Sequence, residues 1–421
     1  MARPRALFIA PMMPALAGNG LAMRLGVFLE ALAAVAAVDL VVVPVAGGRL
    51  EATGYVRSFA AGVTVIPLEA SGTHFRLLSL IADPALRLRA FADYGRPSLT
   101  AALSPQMRQT VERLAGQRAY QLIHVGRSYM MPLAADLPGR SVVTLDLDED
   151  DRRSFASRAS FARRQGNACL ADWLEQEGRA FDSLIAETAG NCRRVFAASE
   201  LECASILRRH PNLRVEPIVN AVTAPPRVSA CDDGRTLLFV GAFGYEPNVD
   251  AVLWFARRVM PLLRARNCAV RLLVAGADPP AAVRRLAGHP DIAVLGFVDD
   301  LSRLYRRATL AIAPMRAGGG TRIKVAEAAA HGIASVVSGE AAAGLFGRRQ
   351  PWGLICATPK QFADACSEGL AHAALRERLA QAGRRAVAAR FSRNASRRRL
   401  ANIFGDCIVA AGENERPRHA R

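Results

Sequence analysis

Arg322, Lys324, Glu327 and His331 carry chemistry suited to an anion within one short stretch, TLAIAPMRAGGGTRIKVAEAAAHGIASVVSG, residues 309–339. Lys324, Glu327 and His331 recur at i, i+3 and i+7, which puts them on one helical face, with Ile323, Ala326 and Ala330 on the apolar face. Cations in a first helical turn oppose the macrodipole, and a bound anion removes that conflict. Gly318, Gly319 and Gly320 let the backbone approach a ligand closely, and the free N–H groups at a helix start suit a phosphate. Glu327, one turn further on, is placed to accept hydrogen bonds from sugar hydroxyls. The plain alternative is an ordinary α/β helix with a solvated charged face.

The elements that must position these groups form a βαβ unit. An apolar run, Leu310–Ala313, predicts a buried parallel strand. A helix is expected from about Thr321 to His331, closed by Gly332 at C′, and Ser335–Val337 gives the next strand. Of the 55 lysines and arginines, only Lys324 and Lys360 are lysines. A lysine kept at 324 in so arginine-rich a chain points to a compact ammonium being wanted there.

The rest of the chain repeats this alternation. With 421 residues and 51% hydrophobic content, two domains with substantial cores are expected. Strands are predicted at Ala6–Ala10, Asp39–Pro44, Val63–Leu68, Leu122–Val125, Val142–Leu147, Arg194–Ala198 and Arg214–Val219, with helices between, including a long one from about Asp150 to Glu187. Asn220–Asp233, rich in proline and aspartate, reads as a linker. A second series follows, with strands at Thr236–Val240, Val270–Ala275 and Ile292–Leu295, helices at Val249–Arg258, Ala281–Ala287 and Leu301–Arg307, and then the central unit. Such alternation implies two doubly wound α/β domains, at 1–222 and 234–390, with a C-terminal helix and polar tail at 391–421.

MARPRALFIAPMMPALAG imitates a secretory signal, but Pro11 and Pro14 interrupt the apolar run and a βα repeat follows at once, which favours a first strand. Glu30 and Asp39 break the apolar stretch Leu25–Val45, so it does not read as a membrane span. Eight cysteines without CxxC or CxxH spacing give no metal or disulfide framework, and read as reduced thiols in a cytoplasmic protein. Net charge is +18, carried by scattered arginine pairs such as Arg152–Arg153 and Arg306–Arg307. Aromatics are only 6% and do not interleave with them, so a nucleic-acid partner is not expected. Loose contact with an anionic membrane face and a solubilising coat of arginines are the two remaining readings.

Phe239–Phe255 (FVGAFGYEPNVDAVLWF), Leu272–Pro279, Ile292–Ser338 and Ala341–Leu345 resemble the donor domain of glycosyltransferases with the two-Rossmann GT-B architecture, especially glycosyltransferase family 4. In the first half, LIHVGRSYMMPLA, LDLDEDD and VFAASELE look like a branch acting on polysaccharide or cell-surface glycans. The resemblance implies an acceptor-side domain followed by a donor-binding domain, with a cleft between them. It implies transfer of a sugar from a nucleoside-diphosphate sugar to a glycan or lipid-linked acceptor, with retention of configuration; a glycosyltransferase-like subunit that only binds nucleotide or glycan, and a sugar-nucleotide epimerase on the same fold, are the alternatives. The cations and helix start at Gly320–Lys324 can stabilise the leaving group without a metal, and no cofactor is expected.

Site residues follow residue by residue. Arg322 and Lys324 would stabilise the leaving diphosphate, aided by Gly319, Gly320 and Thr321. Glu327 would hold the ribose, and the base would lie against Phe297 and Val298 after Gly296. Gly241 belongs to the first donor-domain loop. Gly18, Asn19 and Gly20 would face the phosphates from the first domain. His124 would touch sugar or acceptor, or else be a satisfied core histidine; Asp146 and Asp148 read as one strand's polar face. Two departures stand out. The first of the family's paired glutamates falls on Gly319, and its phosphate-binding Arg and Lys fall near Ala242 and Asn248.

Overall fold

The computed structural model describes residues 3–68, 81, 83–135, 137, 141–223, 233–266, 269–319, 322–346 and 352–414. The chain divides into two compact units, Met1–Val219 with Asn394–Arg421, and Asn220–Arg393. Each unit is a Rossmann-like α/β domain.

The first unit holds β1 (Arg5–Ala10), β2 (Ala37–Val42), β3 (Ala60–Val65), β4 (Leu122–Gly126), β5 (Val142–Asp148), β6 (Arg194–Ala197) and β7 (Val215–Pro217). All their pairings are parallel, in the order β3-β2-β1-β4-β5-β6-β7. The apolar runs of β1, β2, β4 and β6 are buried in the middle of the sheet, because a parallel sheet is covered on both faces, while β3 and β7 at its edges are only partly buried. Ala6–Ala10 are fully buried. The order reverses between β1 and β4, and in such sheets ligands sit beyond the carboxyl ends of the strands at that point.

Two expectations change here. The long helix expected near Asp150–Glu187 is a hairpin of two helices, Asp151–Arg164 and Ala168–Thr188. Gly166 turns the chain with φ 76°, and Asn167 caps the second helix by accepting from the Leu170 N–H. The last helix, Arg393–Asn414, expected as a segment of its own, packs into the first unit, where Phe404 lies fully buried beside Phe28 and Phe196.

The second unit contains β8 (Thr236–Val240), β9 (Arg271–Ala275), β10 (Ile292–Gly296), β11 (Leu310–Ala313), β12 (Ser335–Ser338) and β13 (Gly353–Cys356). They form a parallel sheet in the order β10-β9-β8-β11-β12-β13. Strand β13 was not expected, since GLIC is too short to stand out from its surroundings. The reversal falls between β8 and β11, so the loops after Val240 and Ala313 meet at one end of the sheet. The expected linker lies largely outside the described residues. No helix among them is long and apolar enough to cross a membrane.

Candidate functional site

The helix predicted after the glycine-rich loop spans Ile323–Ala330. It starts two residues later than expected because Arg322 holds the N-cap position, and it ends at His331 with Gly332 at φ 75°. Its apolar side, including Val325, Ala326, Ala329 and Ala330, is buried, which leaves Lys324 and Glu327 half-buried at the switch-point end of the sheet.

Lys324 sits among neutral partners. Its Nζ donates to Asn248 Oδ1 at 2.6 Å, lies 3.8 Å from Met315 Sδ, and stands 4.4 Å from the centre of the Phe239 ring. Among the described residues no carboxylate pairs with it in salt-bridge range. Burial, then Arg322, pushes its pKa down to about 7, with Glu327 opposing. Gly241 makes this arrangement possible. A Cβ there would stand 2.8 Å from Nζ and 2.8 Å from the Asn248 amide nitrogen, closer than atoms can approach.

Arg322 is almost fully buried and turns back on its own loop, where Nη1 donates to the Gly319 carbonyl and Nη2 lies 3.5 Å from that of Ala317. Its Nε has no hydrogen-bond partner among the described residues. The guanidinium therefore braces the glycine loop while keeping its charge beside the helix start. Gly318 takes φ 111°, and a Cβ there would come within 2.2 Å of the Tyr245 hydroxyl. Arg316, in the same loop, forms an ion pair with Asp250 and lies over the Trp254 ring. The Asp250 carboxylate thereby ties the helix Glu246–Trp254 to the loop after β11.

Glu327 has its pKa raised to about 6 by burial, against the pull of Lys324 and the Tyr305 hydroxyl. Tyr305, fully buried, stacks on His331 at 4.4 Å between ring centres. Burial lowers the His331 pKa to about 4, so that ring is neutral near pH 7 and supports the helix end without charge. At the sheet edge Gly296 has φ 68°, Phe297 is 69% exposed and Val298 packs on the core. Gly320 and Thr321 lie outside the described residues.

The first unit's candidates are placed differently. Asn19 caps the helix Gly20–Val35, its Oδ1 accepting from the Leu21 and Ala22 N–H groups at 2.9 and 3.3 Å. Gly18, at φ 101°, forms the turn before it. His124 requires a correction. It is 0% exposed, stacked on Phe28 at 4.7 Å, with Phe8 and Phe404 also against it, and its Nδ1 lies 2.9 Å from Thr144 Oγ1. Burial drives its pKa to about 3. It is a neutral core residue, because its strand position points into the layer that the final helix covers.

Asp146 and Asp148 are more than a polar strand face. Arg24 donates to both Asp146 oxygens at 2.7 Å, and Arg127 pairs with Asp151 at 2.8 Å. Arg127 and Asp148 both have positive φ, 76° and 60°. Sequence reasoning also passed over Asn248 as a contributor, treating it only as the place of a missing lysine. Its signal was the neutral amide itself, opposite the only nearby ammonium.

The fold and the second unit's site together define a class. Residues 234–372 match the family model for glycosyl transferases group 1. No curated protein matches the chain in sequence. Among solved structures it is similar to the sucrose-phosphate synthase of Thermosynechococcus elongatus, with TM-score 0.67, 16% identity, and 97% of this chain and 100% of that chain covered. It is similar to Anabaena HepE, solved with UDP and glucose, with TM-score 0.60, 13% identity and coverage of 95% and 98%. The Escherichia coli trehalose-6-phosphate structure bound with UDP-2-fluoro glucose gives TM-score 0.62, 13% identity and coverage of 96% and 99%. These likenesses show the GT-B fold, and with the matched segment they support a glycosyltransferase.

Proposed function

We propose that the chain transfers a sugar from a nucleoside-diphosphate sugar to a hydroxyl of a glycan or lipid-linked acceptor, in the manner of glycosyltransferase family 4 and with retention of configuration. The observation that carries this reading is the Lys324 ammonium, held by neutral groups at the switch-point end of the second sheet, beside a glycine loop and a helix start. A charge so placed is complementary to the diphosphate that departs in the reaction, and stabilising that developing charge is the main electrostatic task. Arg322 adds charge and keeps the loop in shape. Glu327 accepts from ribose hydroxyls, and exposed Phe297 offers a face to the base. No resident metal is required in this scheme, since cations and N–H groups do the work.

The likeness to HepE, solved with UDP and glucose, and to the Escherichia coli structure bound with UDP-2-fluoro glucose supports a uridine or related nucleoside diphosphate as the donor's leaving group. The chain would act at the cytoplasmic side, touching anionic lipid loosely through its arginine pairs, in the building of exopolysaccharide or cell-surface polysaccharide. Calorimetric titration with UDP and GDP, followed by a hydrolysis and transfer assay over a panel of sugar nucleotides, tests it. Nucleotide binding with turnover of one donor is expected. Binding without turnover of any donor or acceptor would make the chain a glycosyltransferase-like scaffold instead.

A further inference from the structure

We propose that Asn248 is a positioning residue that fixes the Lys324 ammonium for the donor's diphosphate, supplying orientation without charge. This rests on the donor-site reading above. Asn248 is only 7% exposed and lies in the first turn of the helix Glu246–Trp254, just after the loop that follows β8. Its Nδ2 donates to the Ala242 carbonyl at 2.7 Å, which fixes which way the amide faces. Oδ1 is thereby turned to Lys324 Nζ, 2.6 Å away. One amide thus ties the β8 loop to the helix after β11, the two segments that meet where the strand order reverses.

The side-chain type matters as much as the contact. A lysine at 248 would repel Lys324, and an aspartate would neutralise it and compete with any phosphate. An asparagine accepts one ammonium N–H without neutralising the charge, and with only the weak acceptor Met315 Sδ as a further partner, donor capacity remains for a ligand. Gly241 completes the device, since any side chain there would occupy the space in which Nζ and the Asn248 amide meet. The other groups bearing on Lys324 are Arg322 and Glu327 from its own segment and, beside Glu327, Tyr305 from the helix Leu301–Arg307.

The test is a double-mutant cycle on the full chain, with UDP and GDP titrated calorimetrically into the unaltered protein, Asn248→Ala, Lys324→Ala and the double variant. Asn248→Ala is expected to weaken nucleotide binding about tenfold or more, the scale of a lost hydrogen bond to a charged group. In the Lys324→Ala background it should change nothing further, because its effect runs through the ammonium. Equal losses in both backgrounds would show that Asn248 merely supports the loop through the Ala242 carbonyl, and would overturn the proposal. So would undiminished binding by Asn248→Ala.

Asn248→Asp, nearly the same shape, guards against loss of fold, which melting curves of all variants check. It should bind nucleotide more weakly than Asn248→Ala, and its binding should no longer fall as pH rises through 7, since the new carboxylate keeps Lys324 protonated. Tighter binding by Asn248→Asp would refute the requirement for a neutral partner. If the unaltered protein binds neither nucleotide, the donor-site reading itself falls and this inference with it; binding with no response to Asn248 removes the inference alone.

Discussion

The two sheets reverse their strand order in the same way, yet the charges beyond their carboxyl ends are handled in opposite ways. In the first unit, Arg24 is bidentate on Asp146, which is 0% exposed, and also donates to the Ile218 carbonyl at 2.6 Å. Burial opposes its charge, but Asp146 and Asp148 outweigh that, and the guanidinium is held above its ordinary pKa. In the second unit, Lys324 has an amide, a thioether and an aromatic face for company, and burial wins, bringing its pKa to about 7. A buried charge that is fully paired belongs to the architecture. A half-buried one beside an amide, a thioether and a ring, with no carboxylate in salt-bridge range, has charge left over, which the proposed function gives to an anion. The first cluster is part of the architecture, and under the proposed function the second is the one that meets a ligand.

The comparison breaks most visibly under substitution of the paired cluster. Arg24→Met leaves Asp146 buried without its partner and is expected to cost about 3–5 kcal/mol of stability. Urea unfolding measures this, and a loss below about 1 kcal/mol would place Arg24 among the adaptable groups rather than the architectural ones. Lys324→Met should be neutral or stabilising in the same experiment, because it removes a desolvated charge that no carboxylate pairs with in salt-bridge range, and Glu327, its pKa already raised, can take up a proton.

Activity should respond in the reverse sense. Lys324→Ala is expected to lose about 2–4 kcal/mol of transition-state stabilisation, roughly thirtyfold to a thousandfold in rate. Lys324→Arg should recover part of it, since a guanidinium carries the charge but does not fit the space beside Gly241. Near-native turnover in Lys324→Ala would remove the central claim.

Titration sharpens the contrast further. Lys324 is protonated below about pH 7, so nucleotide affinity should be full there and fall by up to about tenfold per unit above it. Stability without ligand moves the other way. The unfolded lysine keeps its proton to about pH 10.4, so the folded state, with its lowered pKa, becomes relatively more stable as pH rises from about 7 toward 10. The stability difference between the unaltered protein and Lys324→Met, followed over that range, isolates this contribution; a flat difference would contradict the lowered pKa.

Smaller effects concern metal and membrane. Transfer activity is expected to survive EDTA, and loss restored by magnesium or manganese would replace the cation-only scheme. Sedimentation with anionic vesicles should show binding of up to about 1 kcal/mol per arginine near the surface, fading as salt shortens the Debye length. Equal recovery with neutral vesicles would leave the arginines as a solubilising coat.

Much of this was legible in the sequence because it is local. Strand-like runs marked every strand of both sheets except β13, most plainly where they were continuously apolar, as in β1, β8 and β11, while β3 starts three residues before its predicted place. Glycines at 241, 296, 318 and 332 marked the places where backbone must turn or come close, and the Lys324–Glu327 spacing set one helix face. These depend on chain chemistry over a few residues, and the twofold βα alternation then fixed the doubly wound class.

What only the tertiary structure decided is which charges meet. Nothing in Leu-Ile-His-Val distinguishes a ligand from a core histidine; the final helix, some 280 residues away, brings Phe404 against His124 and settles it. Arg24 and Asp146 are 122 residues apart, and Asn248 and Lys324 are 76 apart. Their pairings follow from parallel strand order, which brings the carboxyl ends of β1 and β5 to one end of the first sheet and those of β8 and β11 to one end of the second. A sequence states the charges, but the dielectric around each and the partner across from it exist only once the sheets have formed.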